Sequence, residues 1–221
     1  MTVEPPDRLS ERRLRSAAEA LAARDVALGR LHRRYGPPPL WARPTGFSTM
    51  VLIILEQQVS LASARAAHRR LHGLLGEIDP QGLLALDDAR LRDCGFSRQK
   101  TAYCRGLARA LMEGRLSLDD LAELPDEAAR ARLMALKGVG RWTADIYLLM
   151  GLLRPDVWPL GDLALRRMLA GLSNLDELPD RAAELDLSAS WQPWRSVAAR
   201  MLWNAYLGGA MGRGGAKQSA Q

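Results

Sequence analysis

Cysteine is scarce: the 221 residues include two, Cys94 and Cys104. A thiolate-held iron–sulfur cluster needs four ligands, so no iron–sulfur cluster rests on this chain's cysteines alone. A disulfide is not expected in a reducing cytosol, and both read as partly buried thiols. Histidine is nearly as rare, with three residues. His68 and His72 stand four apart, a spacing that suits a metal on one helix face. Their neighbours are Arg65, Arg69 and Arg70, with no acidic ligand close by, so a metal role is not favoured. Long apolar runs are missing as well. The longest, Met50 to Leu55, falls far short of the roughly 20 residues that span a bilayer, so no membrane association is expected. The opening Glu4, Pro5, Pro6 and Asp7 do not read as a secretory signal. A soluble, cytoplasmic protein is the expectation. No segment alternates convincingly as a strand.

Hydrophobic residues make up 48% of the chain, enough for a proper core. The net charge of +6 hints at a polyanion, but much of the arginine is interleaved with acid, as on any solvated helix face. Apolar positions recur at three- and four-residue intervals, which predicts an all-α protein of roughly ten short helices. Ser48 or Thr49 is expected to cap an apolar helix to about Gln58. Ser60 caps one ending near Gly76, Asp79-Pro80 opens another, and Ser97 starts one that stops at Gly114. Pro125 and Asp126 begin a helix expected to end at Gly138, followed by one over about 140–152. Asp162 starts the next, and Ser190 and Pro193 open a last helix to about Leu207. The Gly-, Ser- and Gln-rich stretch 211–221 predicts a disordered tail.

The most informative stretch runs from Leu133 to Asp162. Two helices meet at Lys137-Gly138-Val139-Gly140-Arg141. Glycines allow a sharp turn there and a close approach of another backbone. The first turn after Gly140 presents amide N–H groups with partial positive charge, suited to a phosphate, beside Lys137 and Arg141. A plain interhelical linker would look the same.

This stretch resembles the helix-hairpin-helix with Gly/Pro-rich loop and distal aspartate of a DNA glycosylase superfamily. The hairpin reads Leu136-Lys137-Gly138-Val139-Gly140, with lysine where the family usually has proline. Trp142 and Asp162 lie twenty apart, and 154–161 reads Arg-Pro-Asp-Val-Trp-Pro-Leu-Gly. Two further stretches are similar to the family: Ile53-Ile54-Leu55-Glu56-Gln57-Gln58-Val59-Ser60, and Pro193-Trp194-Arg195-Ser196 of the alkylpurine branch. The resemblance implies two helical lobes with a DNA cleft between them: one over 46–154, the other discontinuous over 1–45 and 155–210. It implies a partner, duplex DNA with damaged bases, and a monomer bound to the bacterial nucleoid.

Site roles follow from the resemblance. Asp162 is the catalytic carboxylate, with Asp145 and Asp156 its rivals by type. Trp142 occupies the place where backbone-nicking members carry a lysine, so no Schiff base forms and the abasic site is left intact. Trp142 and Trp194 resemble the aromatic walls of 3-methyladenine glycosylases. A cationic alkylated purine is attracted to such faces by about 0.5–2 kcal/mol. Ile146 stands where an aromatic is common, and Trp41 is a candidate for a pocket residue that other members draw from an additional domain. Gln58 resembles the wedge that fills the gap left by the flipped base. Lys137 to Arg141, Thr143, Arg98 and Lys100 are expected to contact DNA. No cofactor is required, but the carbonyls of Met134, Leu136 and Val139 match positions that hold a sodium or potassium ion. A non-catalytic DNA clamp, a glycosylase for mismatched or oxidised bases and a helical interaction domain remain alternatives. The preferred lesion stays open among 3-methyladenine, 7-methylguanine, ethenoadenine, 1-methyladenine and 3-methylcytosine.

Overall fold

The computed structural model describes residues 8–209, so the expected tail over 211–221 lies outside the described residues. Twelve α-helices, one 3-10 turn and one π-helical segment make up the regular structure, with no strand among the described residues. The contacts divide the chain into two units: residues 43–152, and residues 8–42 together with 153–209.

The first unit holds α3 (Phe47–Glu56), α4 (Leu61–Leu75), α5 (Pro80–Ala85), α6 (Asp88–Asp93), α7 (Arg98–Met112), α8 (Asp126–Met134) and α9 (Arg141–Ile146). Helix α3 is apolar on all sides because it runs through the core. Met50, Val51, Ile53, Ile54 and Leu55 are all buried, and α4, α7 and α9 pack around it. Each such side chain contributes about 1.5–3 kcal/mol relative to exposure. The expected caps Ser60, Asp79 and Ser97 accept the amides of Ser63, Gly82 and Lys100. Gly76 follows α4 with φ +78, a conformation that costs glycine little.

Three local expectations fail in this unit. Helix α3 starts at Phe47 behind Gly46, and neither hydroxyl caps it. Ser48 Oγ instead pairs with His68 Nε2 at 3.0 Å, and Thr49 Oγ1 donates to the Pro44 carbonyl at 2.6 Å. Helix α8 stops at Met134, four residues before Gly138, because the turn needs those residues. Helix α9 also does not continue regularly to 152. Residues Tyr147–Gly151 widen into a π-helix, closed by Leu152 N–H on the Tyr147 carbonyl at 3.0 Å. Gly151 makes room for the Tyr147 ring, whose hydroxyl accepts the Gly46 amide at 3.1 Å.

The second unit holds α1 (Glu11–Arg24), α2 (Val26–Tyr35), α10 (Leu163–Leu172), α11 (Arg181–Ala189) and α12 (Arg195–Leu207). Here α12 is central: Val197, Ala198, Ala199, Met201 and Leu202 are buried, and α1, α2 and α10 pack on it. Ser190 and Pro193 do not open α12, because Ser190 ends α11 and α12 begins at Arg195. Its first amide is capped from elsewhere, by Asp156 Oδ1 at 3.1 Å.

Candidate active site and nucleic-acid interface

The turn between α8 and α9 is built on Gly138. Its φ is +90, and a Cβ there would stand 2.1 Å from Tyr103 Cγ, so the ring of α7 closes over a position only glycine fills. Gly140 is different. Its φ is −85, and a Cβ would meet nothing within 4 Å. Gly140 and Lys137 are exposed, while Val139 is buried and anchors the tip. The first intrahelical bond of α9 runs from Ala144 N–H to the Gly140 carbonyl at 3.0 Å. The amides ahead of it belong to the turn that carries the helix's positive end.

Gln57 ties this turn to α3. Its Nε2 donates to the Gly138 carbonyl and to Thr143 Oγ1, both at 2.9 Å. Thr143 is buried, so its side chain serves this link and points inward. Gln58 follows in the left-handed conformation (φ +57) and is exposed. Lys100 is half-buried, and its Nζ donates to the Leu55 carbonyl at 2.6 Å, holding the C-terminal end of α3. Burial lowers its pKa, partly opposed by Cys104. Burial likewise pushes the Cys104 thiol up to about 12, so it is inert. Arg98 is exposed and borders a concavity of about 330 Å³ with Arg92, Phe96 and Ser97.

Trp142 is half-exposed in the first turn of α9, and Ile146 is buried one turn later. Asp145, the first rival carboxylate, is fully buried. Arg130 Nε reaches it at 2.5 Å and Arg141 Nε at 3.4 Å. Asp145 is therefore committed to an internal ion pair. Arg141 shares its charge with that pair.

In the second unit, Asp162 caps α10. Its Oδ1 accepts the Leu165 amide at 3.0 Å and the indole N–H of Trp203 at 3.1 Å. The Trp203 ring meets Trp41 edge-on, with centroids 6.4 Å apart and planes at 66°. Trp41 sits at φ +48, a strained position for a bulky residue. The fully buried Arg200 supports it, donating from Nε to the preceding Leu40 carbonyl at 2.8 Å. Burial brings the Arg200 pKa down to about 9. Trp203 and Gln57 were not anticipated from sequence. A tryptophan late in a helix looks like core, and only its distance to Asp162 marks it. Two consecutive glutamines ending an apolar helix were the signal for Gln57.

The Gly/Pro-rich loop is held by the Arg195-Ser196 pair. Arg195 grips Asp156 in a bidentate ion pair, both contacts at 2.9 Å, which commits the second rival carboxylate. Ser196 Oγ accepts the Val157 amide at 2.9 Å and donates to the Val157 carbonyl at 3.1 Å. Trp194 carries the Arg13 guanidinium over its ring at 5.2 Å. Among the sequence-derived aromatics, the structure brings Trp41 to the surroundings of Asp162 through Trp203.

Comparison with known proteins identifies the family. Residues 51–193 match the family model of the HhH-GPD superfamily base excision DNA repair proteins. DNA-3-methyladenine glycosylase 1 of Schizosaccharomyces pombe is 29% identical over 180 residues, covering 80% of this chain and 79% of the relative. DNA-3-methyladenine glycosylase 2 of Escherichia coli is 30% identical over 189 residues, 80% of this chain and 64% of the relative. Among solved structures, a 3-methyladenine DNA glycosylase of S. pombe in complex with abasic DNA superposes with a TM-score of 0.80 at 28% identity. That match covers 86% of this chain and 96% of the other. With more than half of its residues matched by that family model, the chain belongs to the HhH-GPD superfamily of base excision DNA repair proteins.

Proposed function

We propose that this protein is a monofunctional DNA glycosylase that excises alkylated bases of the 3-methyladenine type from duplex DNA and leaves the abasic strand uncut. The observation that carries this reading is the Asp162 carboxylate, fixed by Leu165 and Trp203 beside the Trp41–Trp203 pair. Family membership and the names of its relatives support it.

The chemistry follows from charge. Alkylation at a purine ring nitrogen leaves the base cationic. Aromatic faces attract that cation, and Trp41 and Trp203, in the unit that carries Asp162, are the residues we assign to it. When the glycosidic C–N bond breaks, its electron pair goes to the base, which departs neutral. The positive charge passes to the sugar, where a fixed carboxylate stabilises it better than water would. Water then adds to the sugar carbon and loses a proton to Asp162 or to solvent. Trp142 offers no amine for a Schiff base, and the Lys100 amine is turned to the Leu55 carbonyl. These residues support base release without strand cleavage.

The hairpin is assigned to the DNA backbone: Gly140 provides open access, Lys137 and Arg141 provide charge, and Gln58 is the wedge. Arg98 joins them as an exposed cation, while Lys100 and Thr143 act from within. The carbonyls of Met134, Leu136 and Val139 are assigned to a sodium or potassium ion. Met134 lies at the C-terminal end of α8, where carbonyls lack intrahelical amides, and hard neutral oxygens suit an alkali ion. One chain carries every residue invoked, so a monomer suffices.

The test is incubation with methylated duplex DNA. Release of free methylated base, with strand breaks appearing only after hot alkali, is expected. Strand cleavage without alkali, trapped by borohydride, contradicts the monofunctional reading. DNA binding without base release contradicts the enzymatic one.

A further inference from the structure

A second carboxylate lies behind the residue that precedes Asp162. Glu184, on α11, is 1% exposed. Its Oε2 accepts the Gly161 amide at 3.0 Å and the Trp158 indole N–H at 3.4 Å. Its Oε1 stands 3.5 Å from Arg166 Nε. Gly161 is the residue immediately before Asp162, and Arg166 is on α10, the helix that Asp162 caps. One buried carboxylate therefore bonds the residue before Asp162 and lies within ion-pair range of the helix after it, where Arg166 Nε itself donates to the Pro179 carbonyl at 2.9 Å.

Such a group needs a reason. Taking a carboxylate out of water costs several kcal/mol unless its oxygens are well bonded, and an apolar side chain would fill the same space without that cost. Gly161 supplies one. Its φ is +86, it is exposed, and no atom packs within 4 Å of where a Cβ would be. Packing does not fix this residue, whereas the bond to Glu184 does. The rest of the loop has its own anchors in Arg195 and Ser196.

We propose that Glu184 is a positioning residue for the reaction at Asp162, fixing the carboxylate through the Gly161 amide. This rests on the reading that Asp162 carries the chemistry. Burial pushes the Glu184 carboxyl above its ordinary value of 4.5. The Gly161 and Trp158 hydrogen bonds and Arg166 oppose the rise, and the nearby Asp162 charge adds to it. A protonated Glu184 is a weaker acceptor, so its hold on Gly161 slackens as the pH falls.

Glu184→Leu and Glu184→Gln test this by single-turnover base release beside affinity for abasic DNA. Glu184→Leu is expected to lose about 100-fold in rate, the scale of a misplaced reacting group, with abasic-DNA affinity held within about twofold. Glu184→Gln keeps an acceptor for Gly161 and should recover at least about tenfold of that loss. Its rate should also fall less than the wild type's between about pH 7 and pH 5. Equal rates in the two variants, or parallel pH profiles for wild type and Glu184→Gln, overturn the proposal. The Gly161 amide resonance reads the contact independently of activity. It should follow the Glu184 titration in the wild type and stay flat in Glu184→Gln, whether or not Glu184→Leu folds. A Gly161 amide that ignores that titration overturns the proposal. A wild type that releases no base, but whose Gly161 amide responds, removes only the assigned chemistry.

Discussion

Trp203 donates its indole N–H to Asp162 Oδ1 at 3.1 Å, the same oxygen that takes the Leu165 amide. Two donors on one oxygen fix the rotation of the carboxylate. They also come from different sources, the helix Asp162 caps and the helix α12 that crosses it. The same tryptophan presents its ring to Trp41. One side chain thus bonds the carboxylate and stacks edge-on against Trp41.

Trp203→Phe separates these two roles. A smaller aromatic ring remains and the indole N–H is lost. A hydrogen bond to a charged group is worth about 1.5–3 kcal/mol, so base release should slow about ten- to a hundredfold, and thermal stability should fall as well because the bond and part of a buried ring are lost. Single-turnover rates and a melting curve check this. A rate equal to wild type would show that the hydrogen bond does not matter to the chemistry.

Gly138 and Gly140 should behave oppositely. Gly138→Ala meets both a φ of +90 and the Tyr103 ring, so it should lower stability by about 1–3 kcal/mol and disturb the hairpin. Gly140→Ala meets neither and should leave the melting temperature unchanged, but the added methyl stands where a phosphate is assigned. Its effect should appear in DNA affinity alone. Denaturant melts and salt-dependent binding of duplex DNA distinguish the two. Equal stability losses would contradict the reading of Gly140 as the open position.

The contrast shows what was legible beforehand. The G-x-G spelling marked a turn, yet the division of labour between its glycines depends on Tyr103, a residue 35 positions earlier in the chain. Local rules read the caps Ser60, Asp79, Ser97 and Asp162 correctly, because a cap bonds an amide three residues away. They failed at Ser48, Thr49 and Ser190, where His68, Pro44 and the start of α12 decide. Lys100, expected among the DNA-contacting cations, also makes an internal contact that its neighbours in sequence do not reveal. Its partner, the Leu55 carbonyl, is set by packing of α7 on α3. The aromatic neighbour of Asp162 followed the same pattern. Trp194 drew attention through its motif, while Trp203 is recognisable only by distance.

His68 should give stability a pH dependence. Burial lowers its pKa below 6.5, with the Ser48 carbonyl acting against this and His72 adding to it. Between the folded and unfolded values the unfolded chain binds more protons, so stability should fall as the pH drops through 6.5 and level off below the folded value. Urea unfolding of wild type and His68→Asn from about pH 7.5 to 5 checks this. The wild type should lose more stability on acidification than the variant. A larger loss in the variant would reverse the assigned direction.

The most direct test of the central claim is single-turnover excision from a duplex with one alkylated purine, by wild type and by Asp162→Asn. Asparagine caps a helix about as well as aspartate and can still accept the Trp203 N–H, so the variant should fold and bind abasic DNA like the wild type. The expected result is a rate lower by at least about 100-fold at unchanged affinity. A variant that releases base within a few-fold of the wild type would contradict the assignment of the carboxylate to the developing charge.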